Sequence, residues 1–284
     1  MKYFDAHTHA HFAAFKDDYR DVIARALREE VGLVTVGTQK DTSRRAIEVA
    51  HEFENEPVYA TVGLHPIHTE ASFHDAGELG DTPEAKGFTS RGEEFDFEAY
   101  RNMALDPKVV AIGECGLDYY RLGPESKTKQ AEVFVGQVEL ARAVNKPLMV
   151  HCRRAFPDLI ALIKEHKDKL RDEPGIIHFF TGTLDEAKIL LDLNFSFTFG
   201  GAITFPPRKG QSEGAYNETI GFLPTNYILS ETDAPYVAPI PYRGKRNEPS
   251  YVIEVVKKLA ELKNVKTDEM AMQISLNANR VLGI

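Results

Sequence analysis

The sequence predicts a single domain over residues 1–284 with an α/β fold of the (β/α)8 TIM-barrel type. Eight short apolar runs alternate with helical patterns, and the runs lack the polar alternation of a half-exposed strand. Such runs are typical of parallel strands covered on both faces. An open doubly wound sheet would favour a glycine-rich turn after the first run, where this chain has histidines. The runs are Tyr3–His7, Gly32–Thr38, Val58–Leu64, Val109–Glu114, Pro147–Cys152, Gly175–Phe179, Phe195–Phe199 and Tyr227–Thr232.

Helical patterns fill most of the gaps between the runs. In the longest of them, Phe134, Val138 and Ala141 form one apolar stripe. A further helix begins at Thr267, which suits an N-cap. The other predicted helices are Asp17–Glu30, Ser43–Phe53, Phe97–Leu105, Lys127–Val144, Phe156–Lys164, Leu184–Leu191 and Pro249–Lys263.

Two stretches, near 67–94 and 206–216, are predicted to be loop insertions. Both follow strand ends. We therefore expect them to overhang the carboxyl end of the barrel, where barrel enzymes place their chemistry.

The composition is that of a soluble globular protein, with 43% hydrophobic and 27% charged residues. No apolar stretch reaches the roughly 18 residues of a membrane span. The N-terminus lacks the pattern of a signal peptide, and Cys115 and Cys152 suit small buried side chains in a reducing compartment. These features predict a cytoplasmic protein, with no membrane association and no obligate protein partner.

The net charge of −9 argues against broad electrostatic binding to a phosphate backbone. It still permits a nucleic-acid enzyme whose metal ions supply positive charge locally.

Six of the apolar runs end on a histidine or a carboxylate. His7 and His9 are two residues apart, so in extended backbone their side chains point the same way. Any one of these residues is explained equally well as an ordinary buried polar group. Their recurrence at corresponding positions instead favours one shared site. The residues are His7, His9, His65, Glu114, His151, His178 and Asp233.

Imidazole and carboxylate ligands suit Zn²⁺, Mn²⁺ or Mg²⁺ better than metals that prefer thiolates. A set of this size is too large for one catalytic zinc ion, which takes three protein ligands and keeps an open position. The sequence therefore predicts two divalent metal ions per chain that share a carboxylate. Glu114, on the central strand of the set, is the expected bridge.

Several motifs together resemble the TatD-type metal-dependent DNases of the amidohydrolase superfamily. They follow the family order from residue 5 to residue 249. The matching stretches are Asp5-Ala6-His7-Thr8-His9, Gly63-Leu64-His65-Pro66, Gly113-Glu114-Cys115-Gly116-Leu117-Asp118-Tyr119, His151-Cys152-Arg153, His178-Phe179-Phe180-Thr181-Gly182, Glu231-Thr232-Asp233-Ala234-Pro235-Tyr236 and Pro241 to Pro249.

The resemblance implies that His7, His9 and Asp233 hold one metal ion, that His151 and His178 hold the other, and that Glu114 bridges them. It also implies that His65 and Arg153 lie near the substrate phosphate. This chain has Phe179 where many members have cysteine, and its two loop insertions are longer than is typical.

For catalysis we expect water activated by the metal ions, with Glu114 and Asp233 as catalytic carboxylates. Asp233 would orient the water and accept its proton, although capping the turn before Pro235 is an alternative role. Arg243 is a candidate phosphate ligand or a solvated loop charge. Tyr119 and Tyr120 suit either stacking on a splayed base or ordinary loop packing.

The leading functional prediction is a metal-dependent deoxyribonuclease that hydrolyses phosphodiester bonds of DNA, exonucleolytically and on single-stranded ends. The alternative is an amidohydrolase or esterase that acts on a small amide or aminoacyl ester with the same binuclear site. A metal-binding scaffold without catalysis is the third possibility.

Overall fold

Eight parallel strands form the barrel of this protein. The structure, a computed structural model, describes residues 1–74, 88–90, 92–207 and 215–284, without the side chains of residues 72–74, 88–90 and 215. All eight predicted strands are confirmed, and they are hydrogen-bonded in the order β1-β2-β3-β6-β7-β8-β9-β10. The strands are β1 (Tyr3–Thr8), β2 (Val31–Val36), β3 (Val58–Val62), β4 (Ser72–His74), β5 (Phe88–Ser90), β6 (Val109–Asp118), β7 (Leu148–Arg153), β8 (Gly175–Ile177), β9 (Ser196–Phe199) and β10 (Ile228–Ser230).

Helices surround the strands, and each predicted helix is present with ends that shift by a few residues. Within the described residues the helices are α1 (Tyr19–Arg28), α2 (Lys40–Glu52), α3 (Phe97–Ala104), α4 (Lys127–Val144), α5 (Phe156–Glu165), α6 (Leu184–Asp192), α7 (Ala215–Phe222), α8 (Val252–Lys263) and α9 (Thr267–Leu282).

Two helices differ from the sequence prediction. α2 begins at Lys40 rather than at Ser43, because Gln39 and Thr42 form a capping box there. α7 was not predicted, since its short sequence combines asparagine, threonine and glycine, which are weak helix formers. The stripe of Phe134 and Val138 on α4 is buried as expected.

β6 runs four residues beyond its predicted end at Glu114, and all ten of its residues are buried. Gly113 and Gly116 allow this because they adopt φ of +152° and +130°. A Cβ at Gly116 would lie 2.0 Å from the carbonyl oxygen of His151 on β7. The close approach brings Asp118 opposite Arg153 at the carboxyl end of the barrel.

The barrel closes between β10 and β1, where the structure shows no strand ladder among the described residues. Hydrogen bonds from side chains and isolated backbone hydrogen bonds replace the ladder. Asp5 accepts hydrogen bonds from the backbone N–H (2.8 Å) and the hydroxyl (2.6 Å) of Thr232. The Ser230 hydroxyl donates to the Phe4 carbonyl at 2.7 Å, and the Asp233 N–H donates to the His7 carbonyl at 2.9 Å. We call this boundary the seam.

The two predicted loop insertions fall partly outside the described residues, at 75–87, 91 and 208–214. Within the first of them, β4 and β5 pair antiparallel, with Ser72 opposite Ser90. Among the described helices, none has the length and apolar character needed to cross a membrane.

Candidate active site

A cavity of about 170 Å³ opens at the carboxyl end of the barrel. Seven of the residues predicted from sequence to form the site line it: His9, His65, Glu114, His151, Arg153, His178 and Asp233. His7 lies just beneath and is completely buried. The strand ends therefore bring the predicted metal ligands together, as the barrel topology requires.

His7 and His9 turn their Nε2 atoms toward each other, 3.3 Å apart. Asp233 Oδ1 lies 3.8 Å from the first of these nitrogens and 3.4 Å from the second. The backbone carbonyl of Val36 accepts a hydrogen bond from His9 Nδ1 at 2.8 Å, so the neutral tautomer of His9 has its lone pair on Nε2. Burial, then the neighbouring His178, lowers the pKa of His7 to about 3, which keeps that imidazole neutral.

Glu114 presents a different oxygen to each of two groups of histidines. Its Oε2 lies 3.4 Å from His7 Nε2 and 3.7 Å from His9 Nε2. Its Oε1 lies 3.1 Å from His151 Nδ1 and 3.7 Å from His178 Nε2. A carboxylate whose two oxygens face separate imidazole pairs has the geometry of a bridge between two cations.

The donor set fits divalent metal ions. Two imidazole nitrogens that bind one zinc ion tetrahedrally at about 2.0–2.1 Å lie about 3.3 Å apart, which is the separation found for His7 and His9. His7, His9 and Glu114 offer ligand atoms within 4.8 Å of one another. His7 Nδ1 has no hydrogen-bond partner among the described residues.

His65 also approaches Glu114 Oε1, with its Nε2 at 3.2 Å. The backbone N–H of Ile67 donates to His65 Nδ1 at 3.1 Å, so the neutral ring carries its proton on Nε2. In this tautomer His65 is a hydrogen-bond donor at the cavity wall, although His65, Glu114 and His151 also offer ligand atoms within 4.8 Å of one another.

Buried carboxylates orient the histidines of the second group. Glu231 accepts a hydrogen bond from His178 Nδ1 at 2.8 Å, and Asp118 lies 3.0 Å from His151 Nε2. Burial disfavours the charged form of both imidazoles. The nearby carboxylates nevertheless raise the pKa of His151 to about 10 and that of His178 to about 9. Carboxylates in such positions fix the tautomer of metal-binding histidines.

Two buried glutamines on α4 support the cavity wall from outside. The side chain of Gln137 accepts from the Leu64 N–H and donates to the Leu64 carbonyl, both at 2.9 Å. Gln130 forms the same pair of bonds with the backbone of Asp118, at 2.8 and 2.9 Å. Each glutamine thus holds a strand end that carries a site residue.

Arg243 is placed differently from the other predicted site residues. Its guanidinium lies 4.3 Å from the centre of the Phe205 ring, and it is not among the residues that line this cavity. Tyr119 and Tyr120 lie at the rim beside arginine and lysine side chains.

Sequence analysis missed the supporting roles of Asp118 and Glu231. Both are carboxylates at the ends of apolar runs, which is the signal that identified Glu114. Gln130 and Gln137 left a weaker signal, two amides seven residues apart among the buried positions of one helix.

Comparisons with known proteins identify the family of this chain. Residues 4–283 match the family described as TatD related DNase. YabD of Bacillus subtilis, an uncharacterized metal-dependent hydrolase, is 36% identical over 282 residues, or 99% of each chain. The 3'-5' ssDNA/RNA exonuclease TatD of Citrobacter rodentium is 32% identical over 290 residues, covering 99% of this chain and 98% of the relative.

A solved structure shows the same likeness. YJJV, a TatD homolog from Escherichia coli, aligns with a TM-score of 0.81 at 26% identity, over 100% of this chain and 98% of that one. Taken with the family match over nearly the whole length, this establishes that the chain belongs to the TatD related DNase family of hydrolases.

Proposed function

We propose that this protein is a deoxyribonuclease that hydrolyses phosphodiester bonds of single-stranded DNA from an end and depends on two divalent metal ions, Mg²⁺, Mn²⁺ or Zn²⁺. The observation that carries the proposal is Glu114, whose two oxygens face separate histidine groups. We assign His7, His9 and Asp233 to one ion, His151 and His178 to the other, and Glu114 to both. The cytoplasm is the proposed location.

Divalent ions bound at this site supply Lewis-acid activation of the phosphodiester and of the attacking water. Asp233 is the residue that we propose to accept the proton of that water. Its side chain is 18% exposed, compared with 4% for Glu114 and 0% for His7, so it faces the cavity more openly. Nearby His9 and His178 oppose the effect of burial and lower the pKa of Asp233, so the carboxylate is ionised and able to take a proton.

Two residues of the cavity wall are suited to the substrate phosphate. The Nε2–H of His65 can donate to a phosphoryl oxygen, and Arg153 contributes an exposed guanidinium to the lining. Arg243 remains a candidate for a more distant phosphate, since it lies on Phe205 outside the lining residues.

The net charge of −9 argues against broad binding to a phosphate backbone, but it is compatible with local positive charge at the site. Two divalent ions, together with Arg153 at the cavity, would give a cationic mouth on an otherwise acidic protein. For the direction of attack we propose 3′ to 5′, which is supported by the name of the Citrobacter rodentium relative.

The test uses purified protein stripped of metal and single-stranded DNA labelled at either the 5′ or the 3′ end, with Mg²⁺, Mn²⁺ or Zn²⁺ added back. We expect stepwise shortening that requires metal and disappears in Glu114→Ala. Glu29→Ala, which removes an exposed carboxylate after α1 at the opposite end of the barrel, serves as the matched control.

The proposal is wrong if no metal restores cleavage of DNA. In that case a panel of small amides and aminoacyl esters, assayed with the same metals, tests the amidohydrolase alternative. Cleavage of RNA at a similar rate would widen the substrate class without moving the site.

A further inference from the structure

Three guanidinium groups gather around one exposed aromatic ring at the rim of the barrel. The guanidinium carbons of Arg153, Arg154 and Arg121 lie 3.8, 4.6 and 5.4 Å from the centre of the Tyr120 ring. We call these four residues the Tyr120 cluster. A ring attracts cations through its electron-rich face, which explains how one tyrosine can organise several arginines.

The pairing of β6 with β7 builds the cluster. Asp118 lies opposite Arg153, and the Tyr119 N–H donates to the Arg153 carbonyl at 2.9 Å. The residues that follow each strand end, Tyr120 and Arg154, are consequently neighbours. Both residues come just after paired barrel strands, so the strand pairing places them side by side.

The backbone of Arg154 is left-handed, with φ of +55°. Eight residues other than glycine have positive φ among those described. Four of them, Glu30, Asn145, Asn194 and Asn264, follow helix ends, where this conformation is common. The other four, Arg154, Phe179, Asp233 and Val237, lie after strands at the carboxyl end of the barrel. Strained backbone concentrates at functional positions, and here it includes a proposed metal ligand.

Two of the three guanidinium groups, those of Arg153 and Arg154, carry positive charge that no described carboxylate pairs with. In the described part of the chain, neither Arg153 nor Arg154 forms an ion pair with a carboxylate. Lys127 nearby is different, because Asp158 lies 3.9 Å from its ammonium group. Like charges held close together repel one another, and a bound anion would relieve that repulsion.

We propose that the Tyr120 cluster is a second phosphate-binding subsite, which holds the backbone of a single-stranded nucleic acid next to the phosphate that is hydrolysed. This inference rests on the proposed function. Arg121 and Arg153 line the cavity, whereas Arg154 lies outside its lining. Through Arg154, which is exposed, the cluster extends beyond the cavity lining, where the phosphate next to the hydrolysed one would lie.

The arrangement also defines what the subsite recognises. Tyr120 already carries guanidinium groups, so the cluster presents charge rather than a free ring for base stacking. Contacts to phosphate are independent of base sequence and weaken with salt. The subsite should therefore favour longer strands over dinucleotides, irrespective of their sequence.

The decisive variants are Arg154→Ala and Tyr120→Leu. Arg142→Ala is the matched control, because Arg142 is exposed in the last turn of α4, at the opposite end of the barrel. Tyr120→Phe keeps the ring and serves as the conservative control. The metal-loaded enzymes are assayed on thymidylyl-thymidine, which has one phosphodiester, and on a longer oligothymidylate.

We expect Arg154→Ala to lower the ratio of kcat/KM on the oligonucleotide to kcat/KM on the dinucleotide by about five-fold at about 100 mM salt, the size expected for one phosphate contact. Tyr120→Leu should lower the same ratio. Arg142→Ala and Tyr120→Phe should leave it as in the wild type. A wild-type ratio in both decisive variants would overturn the subsite while leaving the nuclease intact.

A binding measurement separates this result from a failure of the proposed function. Fluorescence anisotropy of a labelled phosphorothioate oligothymidylate is recorded against salt concentration, with the metal-loaded proteins. Arg154→Ala should reduce the slope of log affinity against log salt by about 0.7. A wild-type protein that binds but cleaves no phosphodiester would refute the nuclease and retain the subsite; a wild-type protein that does not bind would refute the subsite.

Discussion

His178 and Glu231 form a buried hydrogen bond of 2.8 Å, and its direction determines which nitrogen of His178 is available to a metal ion. Because Nδ1 donates to Glu231, Nε2 is left to face Glu114. The carboxylate thereby acts on the proposed metal centre without touching the substrate.

The first prediction concerns this pair. Glu231→Gln weakens the acceptor for His178 Nδ1–H, so we expect the affinity for one metal ion and the DNase activity each to fall by about 10- to 100-fold. Metal content after dialysis against a competing chelator measures the affinity. Glu132→Gln, on the exposed face of α4, is the control. Full metal content in Glu231→Gln would contradict the proposed role.

The second prediction concerns protons. With pKa values of about 10 for His151 and about 9 for His178, both imidazoles are charged near neutral pH in the metal-free protein. Metal ions bind neutral imidazole, so loading at pH 7.5 should release about two protons. Calorimetry in two buffers of different ionisation enthalpy gives the number. The release should decline as the pH rises through 9 to 10 and the free histidines lose their charge. Loading without proton release at pH 7.5 would show that these histidines are not ligands.

The third prediction concerns the support from α4. Gln137→Ala leaves the buried N–H and carbonyl of Leu64 without partners, and we expect the free energy of unfolding to fall by about 2–4 kcal/mol. Gln137→Glu keeps an acceptor for the Leu64 N–H but buries a carboxylate that faces the Leu64 carbonyl, so it should not recover this loss. Urea unfolding monitored by circular dichroism measures both. Equal midpoints for Gln137→Ala and the wild type would mean that water replaces the glutamine.

The fourth prediction separates stability from binding at Arg154. Arg154→Gly relieves a left-handed backbone and should raise the free energy of unfolding by about 1 kcal/mol, whereas Arg154→Ala should not. Both variants remove the guanidinium, so both should bind oligonucleotides more weakly. A glycine variant that is no more stable than the alanine variant would show that the backbone of Arg154 is unstrained.

Much of the fold and of the site could be predicted because the strongest signals are local. An unpaired carboxylate in an apolar run is costly, so Glu114 stands out without any knowledge of its partners. The two-residue spacing of His7 and His9 likewise determines their common direction. For Glu114, as for His7 and His9, the prediction needs only the sequence of the strand that carries the residue.

The rest depends on partners that are distant in the chain. Gln137 contacts Leu64, 73 residues earlier, and an amide on a buried helix face does not reveal which backbone it will meet. The loop position of Arg243 left the direction of its side chain open, and the structure places it on Phe205. α7 has weak helix propensity and depends on packing against its neighbours.

Because of the seam, binding of the proposed metal ions should affect the stability of the barrel as well as catalysis. His7 lies in β1, His9 directly follows it and Asp233 follows β10. An ion held by these three residues would therefore span the boundary where the described residues show no strand ladder. Loading the protein should therefore slow amide hydrogen exchange along β1 and β10 more than along β6 and β7. Chelation would then expose the barrel to proteases at this boundary, and metal supply would govern the lifetime of the protein as well as its activity.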